Sequence, residues 1–223
     1  MFRTIVAGTD AGEKGRNAVV LAHELAWATG ARLLLVAVRP HGAAQPVDLV
    51  RRLRALRNEL APEALVLTVP GASPADALLR VADEQGGDLI VVGARERSRL
   101  RRVVEGEPGM KVLRGGQCAV AVAPDDAPAP RRLGRIGVCV DDLSDPGPAL
   151  DLADSVARCA GGRVTTFARG AAVGQPDLLV LGAHDAGDVR RLVRDVRCPV
   201  LVPPRDAWQP WAFVAAQTSA ART

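Results

Sequence analysis

Short apolar runs alternate with segments of helical periodicity along residues 1–124. In residues 14–30, apolar side chains recur on one helical face, and Gly30 ends the pattern. A later helical segment begins at Ser73, a suitable N-cap, followed by Pro74 at the first helical position. The five apolar runs between the helical segments are rich in Val, Ile and Leu and lack the period-2 alternation of half-exposed strands. The pattern therefore predicts an α/β fold with an open, parallel, five-stranded sheet covered on both faces.

The second part of the chain repeats the first in a shorter form. The sequence "IGVCVDD" restates "IVAGTD" and places Asp141 opposite Asp10. The sequence "DLLVLGA" at 177–183 restates "DLIVVGA" at 88–94, and "CPVLVPP" at 198–204 restates "CAVAVAP" at 118–124. Three matched segments in the same order predict a duplicated fold.

The repeat is incomplete in two places. Too few residues separate "RVTTFARG" from "DLLVLGA" for a helix, a strand and a further helix, so we expect the third strand to be missing. Gly93 and Cys118 are 25 residues apart, whereas Gly182 and Cys198 are 16 apart. We therefore predict a full domain at 1–124, a linker rich in Pro and Asp at 125–134, a reduced second domain at 135–204 and a C-terminal tail at 205–223.

Composition narrows the classes of function. The apolar runs are far shorter than the roughly 20 residues of a membrane span, which predicts a cytoplasmic protein with no membrane partner. A net charge of +4, three Phe, three Trp and no Tyr give neither the basic stripe nor the stacking platforms of a nucleic-acid binder. His23, His41 and His184 have no metal-ligand spacing. The cysteines form no C-x-x-C pair and are expected to be reduced core thiols: Cys118, Cys139, Cys159 and Cys198.

The order of these segments resembles the universal stress protein family in its tandem form. The resemblance covers residues 3–124 and, in reduced form, 135–204. It implies a Rossmann-like sheet of the adenine nucleotide alpha hydrolase type and a nucleotide site in the first domain. Nucleotide-binding members of that family carry G-x2-G-x9-G-[ST] after the fourth strand and an aspartate after the first. The resemblance thus implies ATP or AMP as candidate ligands, with Asp10 holding the nucleoside and the backbone near Val38 facing the adenine.

This chain keeps the spacing of that motif but changes two of its residues. Gly93 and Gly106 are the first and third glycines, thirteen residues apart, whereas Glu96 and Glu107 replace the middle glycine and the hydroxyl. Glu107 would stand at a helix N-terminus, where a phosphate would otherwise bind. Two like charges about 5 Å apart repel by roughly 3 kcal/mol at an effective dielectric near 20. We therefore expect a degenerate nucleotide site in a non-enzymatic stress-response or regulatory module that needs no cofactor and no metal.

Several alternatives stay open at this stage. Arg95 and the other arginines of the loop up to Arg102 could clamp phosphates, which would give an ATP-binding, slowly hydrolysing protein, or could pair with the two glutamates. Asp10 could contact a ligand, or it could simply end a strand or cap the next helix. His184 could act as a general base, although no nucleophile or carboxylate partner accompanies it, which favours a surface histidine.

The fifth strands suggest how the halves assemble. The family resemblance implies antiparallel pairing through these strands, here within one chain as an intramolecular pseudo-dimer, which would cover both exposed sheet edges. Cys118 and Cys198 would then lie at opposite ends of the contact, too far apart for a disulfide. The tail holds half of the aromatic residues, which either dock on the body or anchor a homodimer or protein partner: Trp208, Trp211 and Phe213.

Overall fold

The computed structural model describes residues 1–40, 47–93, 118–124, 130, 132–140, 147–168, 175–181 and 197–204. Its strands are β1 Thr4–Gly8, β2 Arg32–Arg39, β3 Leu65–Pro70, β4 Leu89–Gly93, β5 Ala119–Ala123, β6 Arg135–Val140, β7 Arg163–Ala168, β8 Leu178–Leu181 and β9 Val200–Val202. Its helices are α1 Arg16–Thr29, α2 Val47–Leu60, α3 Pro74–Gln85 and α4 Gly147–Ala160, and a 3-10 turn spans Glu13–Gly15.

The strands form one nine-stranded sheet in the order β3-β2-β1-β4-β5-β9-β8-β6-β7. All neighbouring strands run parallel except β5 and β9, which are antiparallel, with Ala121 opposite Leu201. The predicted α/β fold with a parallel sheet of five strands in the first half is thereby confirmed. The antiparallel contact lies in the middle of the sheet and joins the first half of the chain (residues 1–124) to the second half (residues 135–204).

Apolar side chains cover both faces of this sheet. On one face, residues of α1, α2 and α4 pack with strand residues such as Ile5, Leu35 and Val138. On the other face, residues of α3, among them Leu78 and Val81, pack on strand residues such as Val6. Alternate residues of a strand point to opposite faces, which is why Ile5 and Val6 belong to different clusters. Burial of the central strands on both faces explains their unbroken apolar runs.

Local signals set the ends of the helices where the sequence predicts them. Gly30 ends α1 in the left-handed region with φ 68°, a conformation that glycine adopts without steric cost. Ser73 caps α3, since its side chain accepts a hydrogen bond from the N–H of Asp76, and Pro74 stands at the first helical position. The first helix departs from the prediction, because it begins at Arg16 after the 3-10 turn rather than at residue 14.

None of the described cysteines forms a disulfide, but the expectation of core positions for all four is wrong, because Cys159 is exposed on α4 and only Cys139 is fully buried. Cys118 precedes β5 and Cys198 precedes β9, so the antiparallel register sets them at opposite ends of the contact, as expected. Within the described ranges, no helix is long and apolar enough to cross a membrane. The predicted helix in "PGMKVLRGG", most of the linker and the tail with its three aromatic residues lie outside the described residues.

Candidate functional site

The candidate site lies at the carboxyl ends of β1, β2 and β4. From β1 the chain passes through α1 to β2 on one side, and after α3 it returns to β4 on the other side of β1. Adjacent strands that lead to opposite sides leave a crevice at their carboxyl ends, and open α/β sheets bind ligands there. The residues that follow β1 are therefore candidates for contact with a ligand.

The structure brings together three of the sequence-predicted site residues, Asp10, Val38 and Gly93. Gly8 pairs with Val36 in the β1–β2 register, so Asp10 and Val38, each two residues further on, lie at the same level. Gly93 ends β4, whose register with β1 places it beside the residue that precedes Asp10. The predicted proximity of these three residues therefore agrees with the strand register.

The backbone of Val38 points toward the side of β1. The N–H of Gly71 donates to the carbonyl of Arg39 at 2.8 Å, so Arg39 faces β3. The N–H of Thr9 donates to the carbonyl of Val36 at 3.0 Å, so Val36 faces β1. Because backbone groups alternate along a strand, Val38 faces the same side as Val36, at a level where β1 has already ended. Its N–H and C=O groups are thus directed toward the crevice.

Asp10 is exposed and stabilises the turn that follows β1. Its Oδ1 accepts a hydrogen bond from the N–H of Gly12 at 2.9 Å, while the hydroxyl of Thr9 accepts one from the N–H of Ala11 at 3.1 Å. Ala11 has φ 55°, in the left-handed region that disfavours residues other than glycine. Two consecutive side chains thus hold a strained backbone. Asp10 stabilises this turn but does not cap α1, whose N-cap Gly15 makes no side-chain hydrogen bond. Its second carboxylate oxygen accepts no hydrogen bond from the described residues.

Gly15 makes this arrangement possible, and the sequence analysis did not single it out. A Cβ atom at position 15 would overlap the Thr9 hydroxyl and lie 2.9 Å from Oδ1 of Asp10. Thr9 is buried, with 3% of its surface exposed, so it cannot move aside freely. In "TDAGEKG", the glycines at positions 12 and 15 follow the aspartate two and five residues on, and this spacing is the sequence signal that would have identified the close turn.

Two polar side chains fix the start of α1 beside the site. Asn17 donates a hydrogen bond from Nδ2 to the carbonyl oxygen of Pro124 at 2.8 Å, which ties the first turn of α1 to the end of β5. Arg16 forms a two-pronged hydrogen-bonded ion pair with Glu59 on α2. The hydrogen bond to Glu59 raises the pKa of the Arg16 guanidinium. Near the crevice, helix α1 is therefore tied to the end of β5 and to α2.

The phosphate-binding part of the prediction falls outside the described residues. This applies to Arg95, Glu96, Gly106 and Glu107, and likewise to Asp141 and His184 of the second half. Their roles stay predictions. Among the residues that the structure describes, no cluster of three or more His, Cys, Asp or Glu side chains could hold a metal ion.

Comparison with known proteins identifies the family. The model of the universal stress protein family matches residues 1–124. A universal stress protein of Thermus aquaticus is 30% identical over 133 residues, which are 54% of this chain and 97% of that protein.

Two solved structures share the fold over nearly the whole chain. A universal stress protein of Archaeoglobus fulgidus covers 91% of this chain and 96% of its own, with 14% identity and a TM-score of 0.56. A functionally unknown protein of Pseudomonas aeruginosa PAO1 covers 97% of this chain and 98% of its own, with 15% identity and a TM-score of 0.57. The family model covers more than half of the chain. The chain belongs to the universal stress protein family.

Proposed function

We propose that this protein is a non-enzymatic, cytoplasmic stress-response module whose first half keeps a weakened nucleotide site. The observation that carries the proposal is the position of Asp10. Its carboxylate is exposed at the switch point of the sheet, and the tight turn orients one of its oxygens while the other accepts no hydrogen bond from the described residues. A carboxylate held in this way can accept hydrogen bonds from ribose hydroxyl groups.

The backbone near Val38 supports recognition of a base. The N–H and C=O groups of Val38 face the crevice at the level of Asp10. This donor and this acceptor lie on the β2 side of β1, whereas Gly93 lies on the β4 side. Adenine offers a donor and acceptors on its edge that match such a pair. The nucleoside would then lie across the end of β1, with its phosphates directed toward the loop after Gly93.

The loop after Gly93 supports weak binding. Glu107 stands in place of the motif's hydroxyl and Glu96 in place of its middle glycine. A carboxylate in the phosphate site costs roughly 3 kcal/mol, which corresponds to about a hundredfold in affinity. The arginines of the loop, beginning with Arg95, favour the second candidate function, an ATP-binding protein that hydrolyses slowly.

We further propose that the second half is a reduced copy of the first and completes an intramolecular pseudo-dimer. Helix α4 lies 131 residues after α1 and has the same length, and β6 and β7 begin 131 residues after β1 and β2. The strand order from β7 to β9 repeats that from β2 to β5. Between β7 and β8 no described strand or helix corresponds to β3 and α3. These agreements favour duplication followed by loss of one unit.

Isothermal titration calorimetry with ATP, AMP and cyclic AMP, with and without Mg²⁺, tests the proposed site. We expect ATP to bind wild-type protein with a dissociation constant above about 100 µM. Glu107→Ser should improve affinity by tenfold or more, whereas Glu105→Ser, a neighbouring change at a variable position of the motif, should not. Asp10→Ala should abolish the binding gained by Glu107→Ser. Micromolar binding by wild-type protein, or steady phosphate release that depends on Asp10, would instead establish the second candidate function.

The tail calls for a separate experiment. We propose that Trp208, Trp211 and Phe213 anchor a homodimer or a protein partner, with docking on the body of the same chain as the alternative. Light scattering on the chain shortened after Arg205 tests whether the tail anchors a homodimer, because it measures the number of chains per particle. If the number of chains per particle stays the same after shortening, the tail does not anchor a homodimer.

A further inference from the structure

A groove lies between α2 and the outer edge strand β3, away from the nucleotide crevice. Its volume is about 260 Å³. Val50 and Val66 form part of its apolar floor, and Arg54 and Arg57 line its helical side. The spacing of Val50, Arg54 and Arg57 places them on one face of α2, toward the strand. The groove therefore combines an apolar base with two guanidinium groups.

The strand beside this groove is the end of the sheet. β3 pairs with β2 on one side, and no described strand lies on its other side. The N–H of Gly71 donates to Arg39 of β2, and backbone groups alternate in direction along a strand. The N–H and C=O groups of Val66 therefore point away from β2, toward the open edge of the sheet. Leu65, at the start of the strand, is 51% exposed, which is unusual for a leucine in a sheet. An exposed strand edge of this kind is a template for another extended segment.

Charge indicates which segment would fit. Neither Arg54 nor Arg57 is paired with a carboxylate among the described residues; Arg57 donates only to the side chain of its neighbour Asn58. By contrast, Arg51, which does not line the groove, is paired with Asp48 at 2.8 Å. Within the described part of the chain, the groove thus offers two guanidinium groups without carboxylate partners above an apolar floor. Carboxylates at alternate positions of an added strand would point toward this side of the sheet.

We propose that the edge of β3 binds an extended acidic peptide segment of a partner protein by strand addition. The partner's backbone pairs with the outward N–H and C=O groups of Val66, near the amino end of β3. Its acidic side chains enter the groove beside Arg54 and Arg57, and the intervening side chains cover the opposite face near Leu65. This site is independent of the nucleotide site, because it lies at the outer edge of the sheet, two strands away from β1.

Fluorescence anisotropy with a labelled (Glu-Val)4 peptide tests the proposal on the full-length protein. We expect saturable binding that weakens at least tenfold between 0.05 and 0.5 M salt, since exposed charges are screened. A (Lys-Val)4 peptide should not bind. A (Glu-Val)4 peptide with N-methylated backbone at alternate residues should bind at least tenfold more weakly, because it loses its strand hydrogen bonds. Equal binding of the N-methylated peptide would overturn strand addition.

Matched variants on the same helix separate the groove from general charge. The double change Arg54→Glu and Arg57→Glu should reduce binding at least tenfold. The control, Arg51→Glu with Arg52→Glu, changes charge equally outside the groove and should leave binding within about twofold. Circular dichroism verifies that both variants fold. Equal loss in the two variants, or no binding of (Glu-Val)4 by wild-type protein at millimolar concentration, would overturn the proposal.

Discussion

The ring of Phe167 lies across Gly137, diagonally over the neighbouring strand. A Cβ atom at position 137 would lie 2.9 Å from Cε2 of Phe167, so the ring occupies space that any other residue would fill. Positions 131 residues earlier hold Val6 and Val36, both fully buried in the cluster that includes α3. No described helix corresponds to α3 in the second half. Phe167 and Gly137 thus restore some of the cover that α3 gives the first half.

Gly137→Val should destabilise the protein, although valine is the residue at the corresponding position of the first half. The added side chain would collide with Phe167, and overpacking of this kind costs about 1–3 kcal/mol. Phe167→Ala removes the collision, so the double variant should be more stable than the sum of the two single effects predicts. Urea unfolding of the four proteins in a double-mutant cycle measures this coupling. Additive effects would show that the ring does not depend on Gly137.

Gly15→Ala should disturb the turn that carries Asp10. The methyl group would overlap the Thr9 hydroxyl and press on the Asp10 carboxylate, so we expect a loss of about 1–3 kcal/mol in the free energy of unfolding. It should also abolish any ATP binding gained by Glu107→Ser. Gly134→Ala is the matched control, because its nearest neighbour would be 3.6 Å away, an ordinary contact. Thermal unfolding monitored by circular dichroism compares the two, and equal stability would contradict the close turn.

Asp88 and Asp177 make the same contact in the two halves. Each carboxylate accepts hydrogen bonds from two consecutive backbone N–H groups at the start of the adjacent strand, at 2.8–3.1 Å. Alanine at either position should cost about 1–3 kcal/mol, because two backbone donors, one of them partly buried, lose a charged acceptor. Asp151→Ala, an exposed change on α4, should cost less than about 0.5 kcal/mol. Urea unfolding measures these changes in the free energy of unfolding. A loss of stability in the Asp88 variant alone would show that Asp177 does not stabilise its half in the same way.

The sequence predicted the architecture of the first half because its signals are local and consistent. Gly30, Ser73 and Pro74 mark helix ends through their own backbone preferences, and the uninterrupted Val and Ile runs require strands covered on both faces. The strand order within the first half could not be predicted from periodicity, because periodicity does not reveal which strands are neighbours. The 3-10 turn before α1 was missed, since a single turn gives no periodic signal.

The site was predicted only in part, for physical reasons. Asp10, Val38 and Gly93 could be named because the family resemblance marks these positions, and the strand register then places them at one edge of the sheet. The roles of Thr9 and Gly15 depend on a close contact within the single connection from β1 to α1, and residue type alone does not reveal which atoms meet. The groove beside β3 could not be foreseen either, because it requires knowing which strand lies at the edge of the sheet.

The thiol of Cys198 should be far less reactive than that of Cys159. Burial is the main cause that raises the pKa of Cys198 from 9.0 to about 11, whereas Cys159 is exposed on α4. Because the thiolate is the reacting form, Cys198 should be modified at least tenfold more slowly at pH 8. Iodoacetamide labelling followed by peptide mass spectrometry measures both rates. Equal rates in the folded protein would show that Cys198 is accessible.

The same shift predicts a dependence of stability on pH. The folded pKa of Cys198 lies above the ordinary value, so its contribution to stability is fully present below about pH 9 and is lost as the pH rises toward 11. Cys198→Ala should therefore lose less stability between pH 9 and pH 11 than the wild-type protein, since alanine does not ionise. Cys159→Ala should follow the wild-type protein over this range, because its side chain is exposed. Urea unfolding at both pH values tests this, and parallel losses in all three proteins would contradict the burial of Cys198.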